Sequence, residues 1–585
     1  MNPPDNSVLR IGALRVDPAL DEICTGGATI KLEPRTMRLL VCLAGHAGQV
    51  VSVEQLLDEV WHDVVVNPDS VYQAIAMLRR VLGDDAKAPT YIANVLRRGY
   101  RLVAPVAPWV DAPAVPQADP PAITSSETTG PISDKSIAVL PFSDLSEEKD
   151  QEYFADGMAA EILYLLANLP GLTVIGRTSS FQFKGKSEDL RAIGTKLGAA
   201  YVVEGSVRRS RDRVRIGAQL IDTKTGAHRW SDTYDYPLGE VLKIQDSIAA
   251  EIARALQVTL DVDALQSRPG LRNAEAYDLY LRGRHALDRF DKSGIEQAAG
   301  FFQQSLDLEP TLSLAASWLA DTYFVAVLNE WVPPSVGFKR IRDATRAALK
   351  LSPSDAFMLG LQGQVSLIYD WDWAAAETAT NRALGLAPRQ PFVQYCAARV
   401  SSALGHWDKA VHEINTALAI DPLWAPAHLT LGRIRYRSGA LPEAEAAFRR
   451  MLRISPTYAW GHWYMGLVLL ARGQPAASLA EFQQEASSVS ARYAGLALVY
   501  HAMGRKADSD AALSRLTEEG ANDLAFYIAE VHASRGESDE AIAWLNRAYT
   551  QKDPELYLIK GDPLLKGLER DSRYKALLRK MKLPE

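Results

Sequence analysis

The C-terminal half of this 585-residue chain is punctuated by a recurring proline. Pro353, Pro388, Pro422 and Pro456 close the helical phrases LKLSP, LGLAP, LAIDP and LRISP, at intervals of 35, 34 and 34 residues. Ala298, Ala376, Ala410 and Ala444 stand twelve residues before Pro310, Pro388, Pro422 and Pro456, and Phe302 and Phe448 follow the first and last of those alanines by four. A unit of this length is too small to bury its own apolar face, so it must stack on its neighbours in a one-dimensional array. Small residues, with Gly432 and Gly466 on the preceding helices, let paired helices approach. The proline ends the second helix because it lacks a backbone donor and clashes with the preceding turn. This constraint governs residues 270–552 as about eight units, with capping helices expected over 553–585. The interval from Pro310 to Pro353 is 43, so one unit carries an insertion near WVPPSVG.

The rest of the chain divides by composition. Residues 106–134 are rich in Pro, Ala, Ser and Thr without strand or helix period, and read as an extended linker. Residues 135–262 alternate short β-branched runs with helical ones, in the order β-α-β-α-β-β-β-α. SIAVLPF is a buried strand, DQEYFADGMAAEILYLLANL a helix with Phe154, Met158, Ile162 and Leu165 on one face, and RVRIGAQLID a half-buried strand entering a hairpin at TKTGAH. The formal charge of −7 excludes a uniformly basic polyanion binder, and three scattered cysteines fit a reducing compartment rather than a disulfide framework. No apolar leader and no apolar run of membrane-spanning length is seen, which predicts a soluble, cytoplasmic protein without a membrane partner.

Enzymatic readings find little support. Gly185-Lys186-Ser187 resembles the end of a phosphate loop, but Ser180 stands where the first glycine is required, and the strand-to-helix setting is missing. No His, Cys or acidic pair shows metal-ligand spacing, so neither a metal nor a cofactor is expected. Asp222, His228 and Asp232 fit a solvated hairpin end better than a catalytic trio.

The first hundred residues carry the sharpest functional pattern. Residues 8–33 form short alternating runs of a small antiparallel sheet, EPRTMRLLVCLAGHAG a helix, and Ser52 with Gln55 a capping box that starts a second helix. VNPDSVYQAIAMLRRVLGDD then predicts a third helix from about Pro68–Ser70 to Gly83. Val71, Ile75, Leu78 and Leu82 make its apolar stripe, leaving Tyr72, Gln73, Ala76, Met77, Arg79 and Arg80 outward. TYIANVLRRGYRLVAP predicts a hairpin turning at Arg97-Arg98-Gly99, with Tyr100 in its core. Residues 1–104 are not basic, but the segment 79–101 holds six Arg/Lys against Asp84 and Asp85.

Sheet, three helices and hairpin together resemble the winged helix-turn-helix of OmpR/PhoB-type response-regulator output domains over residues 8–104. The residues that carry the likeness are LEPRTMRLL, VVSVEQLLDEVW, VNPDSVYQAIAMLRRVLGDD and YIANVLRRGYRL. The resemblance implies that the third helix enters the major groove of double-stranded DNA while the wing touches the minor groove or backbone. On that reading Ser70 belongs to the DNA-binding set, and Tyr72, Gln73, Ala76 and Met77 lie near the bases, with Gln73 suited to adenine and the apolar side chains to thymine methyls. Arg79, Arg80, Arg97, Arg98 and Arg101 clamp phosphates. The sequence departs from the commoner family pattern at Ala76 and Met77, where relatives carry long polar side chains, and at Val53 in place of a frequent arginine. No phosphoacceptor domain precedes this unit in the sequence, so a switch of that kind is not expected.

Residues 135–262 resemble the TolB-like (FlgO-like) α/β domain through IAVLPFSDLS, EYFADGMAAEI, VIGRTSSFQFKGK, AYVVEGSVRRSRDRVRIGAQLIDTKTG and HRWSDTYD. In that family the domain precedes tetratricopeptide repeats and is attached to a DNA-binding domain or a nucleotide cyclase. The 34-residue array resembles the tetratricopeptide repeat, which implies a solenoid whose groove takes a protein or peptide. Arg433, Tyr436, Arg437, Trp460 and Trp463 fall on positions facing such a groove. The fold class expected is therefore multidomain: an α+β winged helix at 1–105, an α/β domain, and an all-α solenoid. The function expected is a one-component transcriptional regulator, with RNA polymerase as a further candidate partner. The alternatives are a protein-recruiting scaffold in which DNA binding is secondary, and a cyclase-like signalling enzyme, disfavoured by the lack of a catalytic domain.

Overall fold

In this computed structural model the chain is described over residues 8–61, 69–108, 134–256 and 273–583, apart from residues 13, 19, 26–27, 83, 85–90, 96–97, 168, 170, 187, 211–212, 238–239, 290, 330, 487 and 522–523. It forms two compact units, residues 1–126 and 127–585.

The first unit opens with strands β1 (Leu9–Ile11), β2 (Leu14–Asp17), β3 (Glu22–Thr25) and β4 (Ala28–Lys31). Three helices follow, α1 (Pro34–Gly45), α2 (Val53–Val60) and α3 (Asp69–Leu82), then the hairpin β5 (Ile92–Val95) and β6 (Gly99–Leu102). Pro34 sits at the first helical position of α1, where its missing N–H costs nothing. Ser52 caps α2 by accepting the Gln55 N–H at 3.1 Å, the half of the expected capping box that fixes the helix start. A short strand β7 (Val106–Pro108) pairs antiparallel with β1 and completes an antiparallel sheet ordered β4-β3-β2-β1-β7. This strand lies inside the stretch expected to be linker. Prolines at 105 and 108 hid it, yet an edge strand tolerates proline because one side of its ladder is unpaired.

The second unit begins with a mixed sheet ordered β10-β8-β11-β12-β13, from β8 (Ser136–Val139), β10 (Thr173–Val174), β11 (Tyr201–Arg209), β12 (Arg213–Asp222) and β13 (His228–Pro237). A two-residue strand β9 (Ser143–Asp144) pairs with β11. Helices α4 (Glu152–Ala167), α5 (Arg177–Phe181), α6 (Leu190–Leu197) and α7 (Val241–Ala255) accompany the sheet. The expected order holds, with β9 and α5 added. Helix α4 differs from expectation in being buried nearly all round, including Asp156, Gly157 and Glu161. It lies between the sheet and the first helix of the following array, where a Cβ on Gly157 would meet Leu281 at 2.5 Å.

Among the described residues, that array comprises eight helix pairs, from Ala274–Leu287 with Lys292–Leu308 to Ala525–Ser534 with Ser538–Gln551. The small-residue argument holds in detail. A Cβ on Gly283, Gly432 or Gly466 would stand 2.6, 2.3 or 2.5 Å from the rings of Phe302, Phe448 and Phe482. Sheet and array share one core, joining Val139, Phe154 and Ile216 to Tyr277, Tyr280 and Phe302. Polar ties reinforce it: the Tyr280 hydroxyl donates to Glu161 at 2.8 Å, and Arg209 pairs with Asp278 at 2.7 Å.

The sheet region also reaches the far end of the fourth pair. The Gly176 N–H donates to the Ile420 carbonyl at 2.8 Å, and Ser179 donates through N–H and hydroxyl to the buried Asp421. Burial pushes the Asp421 carboxyl up to about 6. The α/β region is thus packed against the array at its first pair and again at the end of its fourth.

Candidate DNA-binding surface and repeat groove

Helix α3 is held by its predicted stripe: Val71, Ile75, Leu78 and Leu82 are all buried in the core of the first unit. At about 1.5–3 kcal/mol per side chain this burial is an upper estimate of roughly 6–12 kcal/mol, enough to fix which face points outward. Tyr72 and Met77 emerge on the other side at 50% and 43% exposure. Met77 is not wholly loose, because its sulfur takes the Thr36 hydroxyl of α1 at 3.9 Å. Ser70, Gln73, Ala76 and Arg80 belong to α3 by backbone, while their side chains lie outside the described residues.

The wing is fixed to the helices by backbone. Val51 and Tyr100 exchange N–H donors with each other's carbonyls at 2.8 and 2.9 Å, placing the hairpin beside the start of α2. Gly99 makes that approach possible: its φ is +122°, and a Cβ there would stand 2.0 Å from the Val51 oxygen. Tyr100 is buried, as expected, and burial pushes its phenol up, so it stays neutral. Arg98 and Arg101 point to solvent. Arg97 lies outside the described residues.

Arg79 departs from its expected role. Its guanidinium donates to the Ile92 carbonyl at 2.8 Å and stands 4.0 Å from the fully buried Asp84 carboxylate, which itself accepts the Tyr91 and Ile92 N–H groups at 2.9 and 2.8 Å. Both backbone groups of Ile92 are therefore satisfied by side chains from the end of α3. Arg79 braces the wing; its guanidinium is spent inside the protein rather than held out for a phosphate. Its position in the outward set of the helical wheel concealed this, since the wing folds over that turn.

Sequence reasoning also passed over Cys42, His46 and Glu59, whose ligand atoms lie within 4.8 Å of one another on α1 and α2. The Cys42 thiol donates to Glu59 at 3.2 Å, and burial with this hydrogen bond pushes it up to about 12.

The same family signature emerges from comparison with known proteins. Residues 27–102 match the family model for the C-terminal domain of transcriptional regulatory proteins, and residues 397–459 and 494–556 match a tetratricopeptide-repeat model. The first unit is an OmpR/PhoB-type transcriptional-regulator domain. The array behind it is a tetratricopeptide-repeat solenoid. The regulator HilA of Salmonella typhimurium is 24% identical over 429 residues, 71% of each chain. The transcriptional activator CadC of Escherichia coli is 43% identical over 100 residues, 17% of this chain and 20% of its own. A Rhizobium meliloti protein named "Putative adenylate cyclase 3" is 39% identical over 198 residues, 34% of each chain, so the chain spans about a third of that relative. In domain composition the chain joins an N-terminal DNA-binding domain of the transcriptional-regulator type to a tetratricopeptide-repeat array.

The repeat solenoid does not present its expected groove residues as an open set. Trp463 is 1% exposed and Tyr436 and Arg437 are also buried. Arg437 donates to the Ser402 hydroxyl at 3.2 Å, to the Leu558 carbonyl at 2.9 Å, and to the Lys560 carbonyl. Arg433 pairs with Glu555 at 3.0 Å and reaches the Tyr557 hydroxyl at 3.2 Å. The chain beyond the eighth pair thus turns back and lies across the first helices of the fourth and fifth pairs. Just past the last helix (Ser572–Lys580), the Met581 carbonyl accepts from the indole of Trp373, at the start of the third pair's second helix, at 2.7 Å. Tyr436, Arg437 and Trp463 are corrected from partner contacts to internal ones; Arg433 and Trp460 remain on the wall of a large cavity.

Proposed function

We propose that the regulator reads promoter DNA by laying α3 in the major groove, with the β5–β6 wing on the adjoining backbone. The supporting observation is that Tyr72 and Met77 on α3 and Arg98 and Arg101 on the wing are all exposed, within a domain matched to regulators of transcription. Tyr72, Gln73, Ala76 and Met77 contact base edges, mostly through methyl and apolar surface; Ser70 sits at the entry of the helix. Arg80, Arg97, Arg98 and Arg101 hold phosphates, and the binding weakens as salt rises.

The second unit acts as the receiving part: a TolB-like α/β domain at 135–262 joined to the solenoid, which responds to a signal or a protein partner rather than carrying out catalysis. RNA polymerase is the partner that a promoter-bound activator brings within reach. No helix among the described residues is long and apolar enough to cross a membrane, and we place this reading in the cytoplasm. The decisive experiment uses the full chain with sheared genomic DNA at low and high salt, followed by sequencing of the retained fragments. Recovery of a shared motif supports the reading; retention of no fragment at low salt removes it.

A further inference from the structure

A cavity of about 1380 Å³ opens inside the second unit, walled by α4 and α5 on one side and by repeat helices on the other. It exceeds the roughly 300–1,000 Å³ common for small-molecule sites, so a ligand need fill only part of it. One end is unusual. Arg399, 5% exposed, and Arg433 both line it, and both reach the Tyr557 hydroxyl, at 2.8 and 3.2 Å. Arg433 has Glu555 as its counter-ion. Arg399 has phenols only: its other hydrogen bond goes to the Tyr395 hydroxyl at 3.3 Å, and among the described residues no carboxylate pairs with it. A buried guanidinium beside a second one, with a single carboxylate between them, leaves one positive charge without a partner, which is costly away from water.

The surrounding wall is aromatic. Tyr395, Trp424, Tyr458, Trp460, Tyr464 and Tyr527 line this end, with Trp460 stacked on Tyr527 at 4.8 Å between centroids. Rings of this kind favour a planar apolar body, and guanidinium with phenol donors favours a carboxylate at its head. One unpaired charge matches a monoanion better than a phosphate dianion. Arg284, the other buried arginine on the wall, differs in stacking on Trp318 at 3.5 Å and in having Asp321 and Asp288 near it.

We propose that this end of the cavity is a binding site for a small aromatic carboxylate, its acid group held by Arg399 beside Arg433 and its ring packed among the tyrosines and tryptophans. Such a molecule supplies the counter-charge that the protein omits. The site goes beyond the DNA-binding reading and is tested without DNA, so either can fail alone.

The test is calorimetric titration of the full chain with 4-hydroxybenzoate and indole-3-acetate, against 4-hydroxybenzamide, acetate, inorganic phosphate and a synthetic Glu-Leu-Tyr-Leu peptide. The expected result is binding of at least one aromatic acid, at least tenfold weaker binding of the amide and of acetate, and at least tenfold loss in Arg399→Gln. Should that variant fold poorly, Arg399→Lys keeps the charge and Trp424→Ala removes only a wall, and each is expected to weaken binding severalfold. Equal binding of acid and amide overturns the proposal. So does binding that these variants leave unchanged, binding of phosphate or of the acidic peptide without any aromatic acid, or binding of none of the probes.

Discussion

Helix α3 and the repeat groove are both surfaces that the sequence singles out for binding, and they end in opposite states. On α3 Tyr72 and Met77, opposite the apolar stripe, are exposed, and so are Arg98 and Arg101 on the wing. On the fourth and fifth repeat pairs the arginines turn onto the chain's own segment at 555–560. The difference lies in sequence distance. The face of α3 is decided by periodicity within fourteen residues, whereas Arg437 meets Leu558 from 121 positions away. An amphipathic helix announces which side is buried, but a solenoid's inner side shows only that it is suited to hold an extended segment, without saying whose.

The largest expected effect is at the joint that makes the wing possible. Gly99→Val places a branched side chain at φ +122° and against the Val51 carbonyl, so neither rotation nor a small shift relieves it. The first unit is expected to lose its fold, with DNA retention abolished at any salt while far-ultraviolet circular dichroism keeps the helical signal of the repeats. Retained DNA binding would mean that the wing does not dock as described. Next comes Arg437→Ala, which leaves the Leu558 and Lys560 carbonyls without their donors. About 3 kcal/mol of stability is expected to go, and residues 553–583 should become open to limited proteolysis. If the tail stays protected, the return of the chain is held by its apolar contacts alone.

Asp321 extends the comparison to pH. It is buried beside Arg284, and burial pushes its carboxyl up to about 7 from an ordinary value near 3.8. The folded protein therefore holds this proton more tightly than the unfolded chain does. Its contribution to stability is greatest in acid, declines as pH rises from about 4 to about 7, and is constant above that. The decline is at most about 1.4 kcal/mol per pH unit. Asp321→Asn removes it, so urea midpoints at pH 5 and 7.5 should differ less in the variant than in the parent chain. An equal difference would assign the pH response to other groups, Asp421 first.

Legibility followed the same line as the comparison. The stripe Val71–Ile75–Leu78–Leu82, the bounds of α3, the Ser52 cap, the buried Tyr100 and the glycine–phenylalanine contacts of the repeats were readable because each is fixed by neighbours within a turn, a hairpin or one repeat. Strand β7 was hidden by its prolines. Packing of the α/β region against the repeats was hidden because it rests on pairs such as Ser179 with Asp421, 242 positions apart, whose side chains carry no local signal of each other. The brace of Arg79 was missed for a smaller reason: a helical wheel ranks a position as outward without knowing that the next hairpin folds over it.

That brace gives the finest test of the surface. Arg79→Ala and Arg98→Ala each remove one guanidinium from the region expected to clamp phosphates. Arg79→Ala leaves the Ile92 carbonyl without this donor and removes a cation 4.0 Å from the buried Asp84, so about 2 kcal/mol of stability in the first unit is expected to be lost. Its salt dependence of DNA binding should stay at the parent value wherever the unit is still folded. Arg98→Ala is expected to leave the unfolding curve unchanged and to lower the slope of log affinity against log salt by about one, evenly across DNA sequences. Exchange of the two outcomes, with Arg79 governing the salt slope and Arg98 the stability, would reverse the division between bracing and clamping drawn from the geometry at Ile92.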